Sequence, residues 1–210
     1  EDGIRDVERS RGLGDVYKRQ PLEELNLQKF HSWENVLCSV GIAVIKGVDD
    51  KIIKETLIEY RPLSHRQEFV AEVAGIKFFN DSKATNESAV RALLESLKHP
   101  AVLIMGGKDK GGDFSLLRES LLNKAKALVL VGETKEKIKK QLGDVVPTKE
   151  CENIKEAVRV AFSWCKKGES VVLCPGCSSF DQFINYKHRG NVFKNEVRKL
   201  KNEVEGKKLF

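Results

Sequence analysis

Short apolar runs alternate with amphipathic segments along most of the chain, beginning after residue 62. The runs AVLIM at 101–105 and SVVLC at 170–174 have no polar face. Parallel strands covered by helices on both sides have this composition, whereas strands with one solvated side alternate apolar and polar residues. The sequence therefore predicts an α/β domain of the Rossmann-like, doubly wound type with a mostly parallel sheet.

The same pattern sets the order of the elements after residue 62. Two apolar runs flank Ala74 and Gly75, which predicts a β-hairpin at the start of the sheet, with glycine in its turn. Strands then alternate with helices, as in a parallel sheet with helical crossovers. The predicted strands are 69–73, 76–79, 101–105, 127–131, 145–146 and 170–174, and the predicted helices are 86–97, 114–124, 135–142, 154–166 and 180–200.

Residues 22–60 have apolar positions at helical spacing. A turn at Gly47 separates two groups of these positions, and Asp49 or Asp50 can cap the second helix. Pro62 lacks an amide donor and disfavours helical backbone at the residue before it, so it ends this region. A pair of helices is therefore predicted ahead of the α/β domain.

The first 20 residues hold five acidic and five basic side chains with almost no periodic apolar face. Such a segment cannot bury enough surface to offset the entropy of ordering. The run RGLGDVYKRQ at 11–20 also looks like adaptor sequence rather than a segment selected to fold. We expect residues 1–20 to be a disordered or artefactual tail.

The net charge of +6 raises the question of a nucleic-acid partner. Residues 187–210 contain eight Lys or Arg against three Glu, so most of the excess lies in the last helix and the tail. No series of aromatic side chains interleaves with these basic residues as stacking platforms would. We therefore expect a solvated helix face and no nucleic-acid partner.

The chain also lacks the marks of a membrane or secreted protein. No stretch approaches the roughly 18 consecutive apolar residues of a membrane span, and the N-terminus has no apolar signal-peptide core. The five cysteines form no even framework, and a chain of this size does not need disulfides. We expect a cytoplasmic protein with reduced thiols and no membrane insertion.

Three polar runs follow predicted strands: NDSKATN at 80–86, GGKDKG at 106–111 and CPGCSSFD at 174–181. Loops at the carboxyl ends of parallel strands meet in the ligand crevice of an open α/β sheet. Glycines let the backbone approach a ligand, and Lys, Thr and Ser supply cationic and hydroxyl donors. The runs therefore predict three edges of one polar site.

Individual residues in these runs have structural alternatives. Thr85 can cap the following helix or bind a ligand, and Asp81 can form an Asx turn or accept hydrogen bonds from a ligand. Lys83 lies in the same turn, where an ammonium beside a helix N-terminus suits an anion. Lys108 lies in a glycine loop that is either a solvated turn or part of the site.

Cys174 and Cys177 form a CxxC pair, which makes a dithiol redox protein an alternative. A zinc site would need a second ligand pair, and the chain has no second CxxC. The pair also follows the last strand, whereas a thioredoxin-like pair follows an early one. Ser178 and Ser179 can instead offer hydroxyls and amides to a carboxylate.

Together with LSHRQEFV at 63–70, the three runs resemble the D-glutamate-adding ligases of the Mur ligase family, which act in bacterial peptidoglycan synthesis. The resemblance covers about residues 22–200. It implies an ATP-dependent, amide-forming ligase. With ATP and Mg²⁺, the carboxylate of UDP-N-acetylmuramoyl-L-alanine is phosphorylated, and the amine of D-glutamate attacks the acyl phosphate. The resemblance also implies a cytoplasmic bacterial monomer.

The resemblance divides the chain further. Residues 21–61 are expected to be the helical end of a central ATPase domain, 62–202 a C-terminal D-glutamate-binding domain and 203–210 a tail. No GxxxxGK[ST] phosphate-binding run occurs in the chain. We therefore expect a fragment of such a ligase that is inactive alone, with a stand-alone amino-acid-binding module as a further alternative.

Roles for individual residues follow from the resemblance. Lys83 matches a catalytic lysine of the cleft, and no residue is assigned to a metal. Contacts to ATP are implied for Asn35, Arg66 and Asp81. The residues implied to bind D-glutamate are Thr85, Lys108, Ser179, Phe180 and Tyr186.

Overall fold

The computed structural model of the protein describes residues 33–60 and 63–206, which form two compact units that divide after residue 62. The predicted tail at 1–20 lies outside the described residues, as do residues 21–32 and 207–210. The assignment of the two units to a central ATPase domain and a D-glutamate-binding domain stays a prediction.

The first unit contains two helices in its described part, α1 (Trp33–Ile45) and α2 (Asp50–Glu59). The carboxylate of Asp49 caps α2 by accepting a hydrogen bond from the Lys51 amide at 2.9 Å. This bond satisfies one of the free amides at the helix start. The predicted helical pair is confirmed over these residues.

The second unit is built on six strands: β1 (Glu68–Val73), β2 (Ile76–Asn80), β3 (Ala101–Met105), β4 (Ala125–Leu130), β5 (Thr148–Glu150) and β6 (Ser170–Leu173). They form one sheet in the order β1-β2-β6-β3-β4-β5. β1 and β2 pair as an antiparallel hairpin, and the other neighbours are parallel. Ala74 and Gly75 turn the hairpin with φ of 50° and 82°. The mostly parallel sheet with a hairpin at its start confirms the predicted fold.

Helices cover both faces of this sheet. They are α3 (Glu87–Ser96), a 3-10 helix (Phe114–Leu117), α4 (Arg118–Lys124), α5 (Lys135–Leu142), α6 (Ile154–Trp164) and α7 (Tyr186–Gly206). α6 and α7 pack against alternate strand residues such as Val102 and Ile104. The intervening residues, including Leu103 and Met105, are fully buried as well. Burial on both faces explains why β3 has no polar position. No described helix combines the length and apolar content needed to span a lipid bilayer.

Two predicted elements in the middle of the chain are wrong in detail. The strand expected at 145–146 lies at 148–150, because β5 is a polar edge strand after Pro147 and the two valines sit in the preceding turn. An edge strand needs no continuous apolar face, so the apolar pattern does not reveal it. The helix expected at 114–124 is a 3-10 turn followed by α4.

The last helix also differs from its predicted range of 180–200. It begins at Tyr186, because the Asn185 side chain accepts a hydrogen bond from the His188 amide at 2.9 Å. Such an amide-oxygen contact is typical of a helix N-terminus. The helix continues to Gly206, so residues 203–206 are helical where the sequence predicts a tail.

Candidate functional site

The three polar runs leave β2, β6 and β3, which are adjacent and parallel in the sheet. Backbone hydrogen bonds join the runs to one another. The Gly106 amide donates to the Pro175 carbonyl at 2.8 Å, and the Gly176 amide donates to the Ala84 carbonyl at 2.9 Å. The prediction that all three runs share the carboxyl end of the sheet is confirmed.

Close backbone approach between two of these runs requires glycine at position 107. Gly107 has a φ of 146°, and a methyl group there would lie 2.2 Å from the Ser178 carbonyl oxygen. The next residue, Lys108, donates its amide to that same carbonyl at 2.9 Å. The missing side chain at Gly107 therefore lets Lys108 reach the edge of the crevice.

A pocket of about 200 Å³ lies between the loops that follow β2, β3 and β6. Thr85 and Lys108 both line it, so the structure brings together two of the residues expected to bind D-glutamate. The volume is below the roughly 300 Å³ at which pockets for drug-sized ligands begin. It suits a small molecule.

Glu87 and Asp109 bring two carboxylates to this pocket, and Lys108 and Lys110 bring two ammonium groups. Asp109 lies between them in sequence, but the Lys137 ammonium binds its carboxylate at 2.8 Å and lowers the pKa of Asp109. Lys108 Nζ lies 3.7 Å from Glu133 Oε2, and the two side chains are 51% and 54% exposed. Because exposed ion pairs of this kind are weak, a carboxylate ligand can replace Glu133 beside Lys108.

The helix cap in this region is Asn86 rather than Thr85. Asn86 Oδ1 accepts a hydrogen bond from the Ala89 amide at 2.9 Å and so caps α3. The cap alternative for Thr85 is therefore wrong, and its half-buried side chain faces the pocket instead.

The other residues expected at the D-glutamate site lie in the turn between β6 and α7. Ser179 is buried, and its carbonyl oxygen accepts from the Phe183 amide at 2.8 Å. Phe180 is 65% exposed, and Tyr186 is the half-buried first residue of α7. None of Ser179, Phe180 and Tyr186 lines the 200 Å³ pocket, so the structure does not gather all five residues around one cavity.

Asp81 and Lys83 both contact the short segment that carries Arg66. His65 and Gln67 flank Arg66 with left-handed backbone, at φ of 67° and 45°. The His65 carbonyl oxygen accepts from the Lys83 amide at 3.1 Å, and the Gln67 amide donates to the Asp81 carboxylate. Left-handed backbone at residues other than glycine costs free energy and persists where surrounding contacts fix it.

The Asp81 carboxyl is 7% exposed, and this burial raises its pKa to about 6. The Gln67 hydrogen bond and the Arg66 charge act in the opposite direction but are weaker than burial. Asn35 lies on α1 in the first unit, where its carbonyl oxygen accepts from the Ser39 hydroxyl at 2.8 Å. The contacts of Asn35, Arg66 and Asp81 with ATP stay predictions.

Nothing in the pattern of the sequence marks Arg189 as a buried residue, yet it is only 1% exposed. Its guanidinium donates to the Ser178 carbonyl at 3.1 Å and to the Cys177 carbonyl at 3.1 Å. It also donates to the Ser82 carbonyl at 2.9 Å, so it joins two of the three runs. Burial lowers the pKa of Arg189 to about 10, which leaves it charged at neutral pH.

Thr134, in the loop after β4, is a second residue that the sequence does not single out. Its hydroxyl accepts from the Gly107 amide at 3.1 Å and lies 3.0 Å from the Gly107 carbonyl oxygen. A fourth loop thus fixes the glycine turn that carries Lys108. No motif in the sequence marks this contact, because it joins loops that follow separate strands.

Neither thiol of the CxxC pair has the environment of a reactive cysteine. Cys174 and Cys177 are both buried and free. Burial raises the pKa of Cys177 to about 11 and that of Cys174 well above its ordinary value. Reactive thiols have lowered pKa values and partial exposure, so the geometry argues against a dithiol redox site.

Comparison with known proteins extends this picture. The family model described as Mur ligase, glutamate ligase domain matches residues 65–177. A UDP-N-acetylmuramoylalanine--D-glutamate ligase of Syntrophus aciditrophicus (strain SB) is 40% identical over 178 residues, 85% of this chain and 39% of that protein. A protein of the same name from Acidobacterium capsulatum is 42% identical over 177 residues, 84% of this chain and 38% of that protein.

Solved structures share the fold at low sequence identity. A pseudomurein peptide ligase type C from Methanothermus fervidus has a TM-score of 0.60 at 16% identity, covering 80% of this chain and 35% of that one. MurF from Acinetobacter baumannii has a TM-score of 0.56 at 19% identity, covering 80% and 36%.

The fold and the pocket define an α/β domain with a small, polar-lined site at the carboxyl ends of β2, β6 and β3. The match over residues 65–177 specifies it further: the chain belongs to the Mur ligase family and carries its glutamate ligase domain. The chain spans about two fifths of the length of the curated relatives it matches, 39% of the one from Syntrophus.

Proposed function

We propose that this chain carries the D-glutamate-binding part of an ATP-dependent ligase that extends UDP-N-acetylmuramoyl-L-alanine in peptidoglycan synthesis. The pocket lined by Thr85 and Lys108 supports this proposal most directly. The names of the relatives that are 40% and 42% identical supply the amino acid and its acceptor.

D-Glutamate carries two carboxylates and one ammonium group at neutral pH, and the crevice offers donors for both carboxylates. Lys108 and Thr85 would bind one carboxylate from the pocket. Ser179 and the backbone near Tyr186 would bind the other from the turn before α7, with Phe180 beside them. Charge-assisted hydrogen bonds of this kind are stronger than neutral ones. Holding the amine against a reactive acyl group is itself a large contribution to rate.

In the complete ligase, ATP would supply the phosphoryl group that activates the acceptor carboxylate. Contacts with ATP are proposed for Arg66 and Asp81 in the second unit and, separately, for Asn35 in the first, and Lys83 would lie beside the reacting carboxylate. The described residues include no cluster of three His, Cys, Asp or Glu suited to a metal, so none of them is assigned to Mg²⁺. Phosphoryl transfer is not assigned to this chain alone, because its sequence has no GxxxxGK[ST] run. A cytoplasmic monomer remains part of the proposal.

Titration of the ¹⁵N-labelled chain with D-glutamate tests the binding site. The amides of Thr85, Lys108 and Ser179 are expected to shift, and L-glutamate is expected to bind more weakly. Lys108→Met should weaken binding about tenfold or more, since hydrogen bonds to charged groups contribute about 1.5–3 kcal/mol.

Lys98→Met is the matched control, because Lys98 is exposed just after α3 and is not among the residues of the pocket. It should bind D-glutamate like the wild type. Unchanged amide signals at saturating D-glutamate, or equal weakening by both lysine substitutions, would overturn the proposal.

A further inference from the structure

Lys83, Tyr186 and His65 form a closed set of contacts beside the start of α7. Lys83 Nζ lies over the Tyr186 ring, 4.4 Å from its centroid. The Tyr186 and His65 rings meet edge to face, with 6.0 Å between centroids and 86° between planes. The Lys83 amide donates to the His65 carbonyl oxygen at 3.1 Å. His65 therefore holds the backbone of the lysine, and Tyr186, which touches His65, contacts its ammonium group.

The Tyr186 backbone is fixed against the loop that carries Lys83. Its carbonyl oxygen accepts a hydrogen bond from the Ser82 hydroxyl at 2.8 Å. Arg189 Nε in turn donates to the Ser82 hydroxyl oxygen at 3.0 Å. Because Ser82 and Lys83 are consecutive, the ring has a set position relative to the lysine backbone.

Contacts on two sides fix the His65 ring next to the Tyr186 ring. Asn80 Nδ2 donates to His65 Nδ1 at 2.9 Å, and the side chain is almost fully buried. A methyl group at Gly190 would lie 2.3 Å from that same nitrogen, so the helix backbone closes the other side. Burial lowers the pKa of His65, which keeps the ring neutral and able to accept this bond.

We propose that Tyr186, supported by His65, is a positioning residue that holds the Lys83 ammonium at the crevice through the face of its ring. The face of an aromatic ring is negative, and a cation within about 6 Å of its centroid is attracted to it. Among the described residues no carboxylate forms an ion pair with Lys83, so the ring is the partner that holds its charge.

The strength of this contact follows from its exposure. Lys83 is exposed, and an exposed cation–π contact favours the bound rotamer by roughly two- to fivefold. A preference of this size still allows Lys83 to contact a substrate. It also raises the fraction of time that the side chain spends in the bound orientation. The importance of that orientation rests on the proposed function, whereas the contact itself does not.

The test compares the wild-type 210-residue chain with Tyr186→Phe and Tyr186→Leu, using lysine labelled with ¹³C at the ε carbon. The ring current should shift the Lys83 ε protons upfield of those of the exposed Lys110. Phe keeps the aromatic face and should keep the shift, whereas Leu should abolish it. Lys83→Arg assigns the signal, and the Lys110 signal should not change in any variant.

An unchanged Lys83 signal in Tyr186→Leu, or its loss in Tyr186→Phe, would overturn the proposal. A second measurement needs no substitution: the wild type should show cross-relaxation between the Lys83 ε protons and the Tyr186 ring protons. Its absence would overturn the proposal even if the leucine variant does not fold. D-Glutamate titration of the same samples separates the two proposals, because failed binding would contradict the proposed function and leave the ring-current result standing.

Discussion

Arg189 holds Ser82 with two hydrogen bonds, from Nε to the hydroxyl oxygen at 3.0 Å and from Nη2 to the carbonyl oxygen at 2.9 Å. The same buried guanidinium binds the carbonyl oxygens of Cys177 and Ser178. One side chain from α7 therefore fixes the loop after β2 against the loop after β6. These loops carry most of the residues proposed to bind the substrate.

Replacing Arg189 with Met is expected to destabilise the domain strongly. The substitution removes four hydrogen bonds and leaves buried carbonyl oxygens without a donor. Each buried acceptor left without its partner costs about 1–3 kcal/mol, so the free energy of unfolding should fall by several kcal/mol. Urea denaturation followed by circular dichroism measures this loss.

Arg159→Met is the control for that measurement. Arg159 pairs with Glu203 at 2.7 Å, but its side chain is 41% exposed. An exposed pair contributes about 1 kcal/mol or less, so the variant should remain close to the wild type. Similar losses from the two substitutions would contradict the assigned role of Arg189.

Asn86 and Thr85 are adjacent and should separate stability from ligand binding. Asn86→Ala removes the cap of α3 and should cost about 1 kcal/mol in the free energy of unfolding; because Asn86 also lines the pocket, its loss of stability is what tests the cap. Thr85→Ala should weaken D-glutamate binding and leave stability nearly unchanged. Denaturation and titration of both variants check the pair, and a reversed outcome would restore Thr85 as a structural cap.

The arrangement of the sheet was accessible from the sequence because its signal is local. AVLIM is apolar throughout since β3 is buried on both faces, and the turn at Gly75 identifies the hairpin. The position of the crevice follows from these elements, because parallel strands place their outgoing loops at the same edge. The sequence alone therefore predicts that Lys108 and Thr85 lie near each other.

Contacts between distant positions were not accessible in this way. Arg189 in a basic helix looks like a solvated residue, and its burial depends in part on Ser82, which lies 107 positions away in the sequence. The polar strand at 148–150 has no apolar pattern because it lies at the sheet edge. The apolar pattern continues through 180–185 and predicts helix there, whereas the Asn185 side chain starts the helix at Tyr186.

The cysteines provide a test of the redox alternative. Cys174 and Cys177 are buried with raised pKa values, so both should resist alkylation by iodoacetamide in the native protein. The exposed Cys38 should react first, and all three should react in denaturant. Mass spectrometry after timed alkylation measures the order. Rapid native labelling of Cys177, or a disulfide to Cys174 under mild oxidation, would instead support a dithiol function.

Asp81 should make the stability of the domain depend on pH between about 4 and 6. Its pKa rises from 3.8 to about 6 on folding, so in this window the folded protein binds a proton that the unfolded chain does not. Stability contributed by the protonated carboxyl is therefore present below this window and is lost as the pH rises through it. The shift corresponds to at most about 3 kcal/mol.

Asp81→Asn removes this titration while keeping an acceptor for the Gln67 amide. The unfolding free energy of the wild type relative to Asp81→Asn should therefore fall between pH 4 and pH 6.5 in urea denaturation. Asp109→Asn gives a control of opposite sign, because the Lys137 ammonium lowers the pKa of Asp109 and its stabilisation is lost as the pH falls. Parallel curves for wild type and Asp81→Asn would show that the buried carboxyl is solvated well enough to ionise normally.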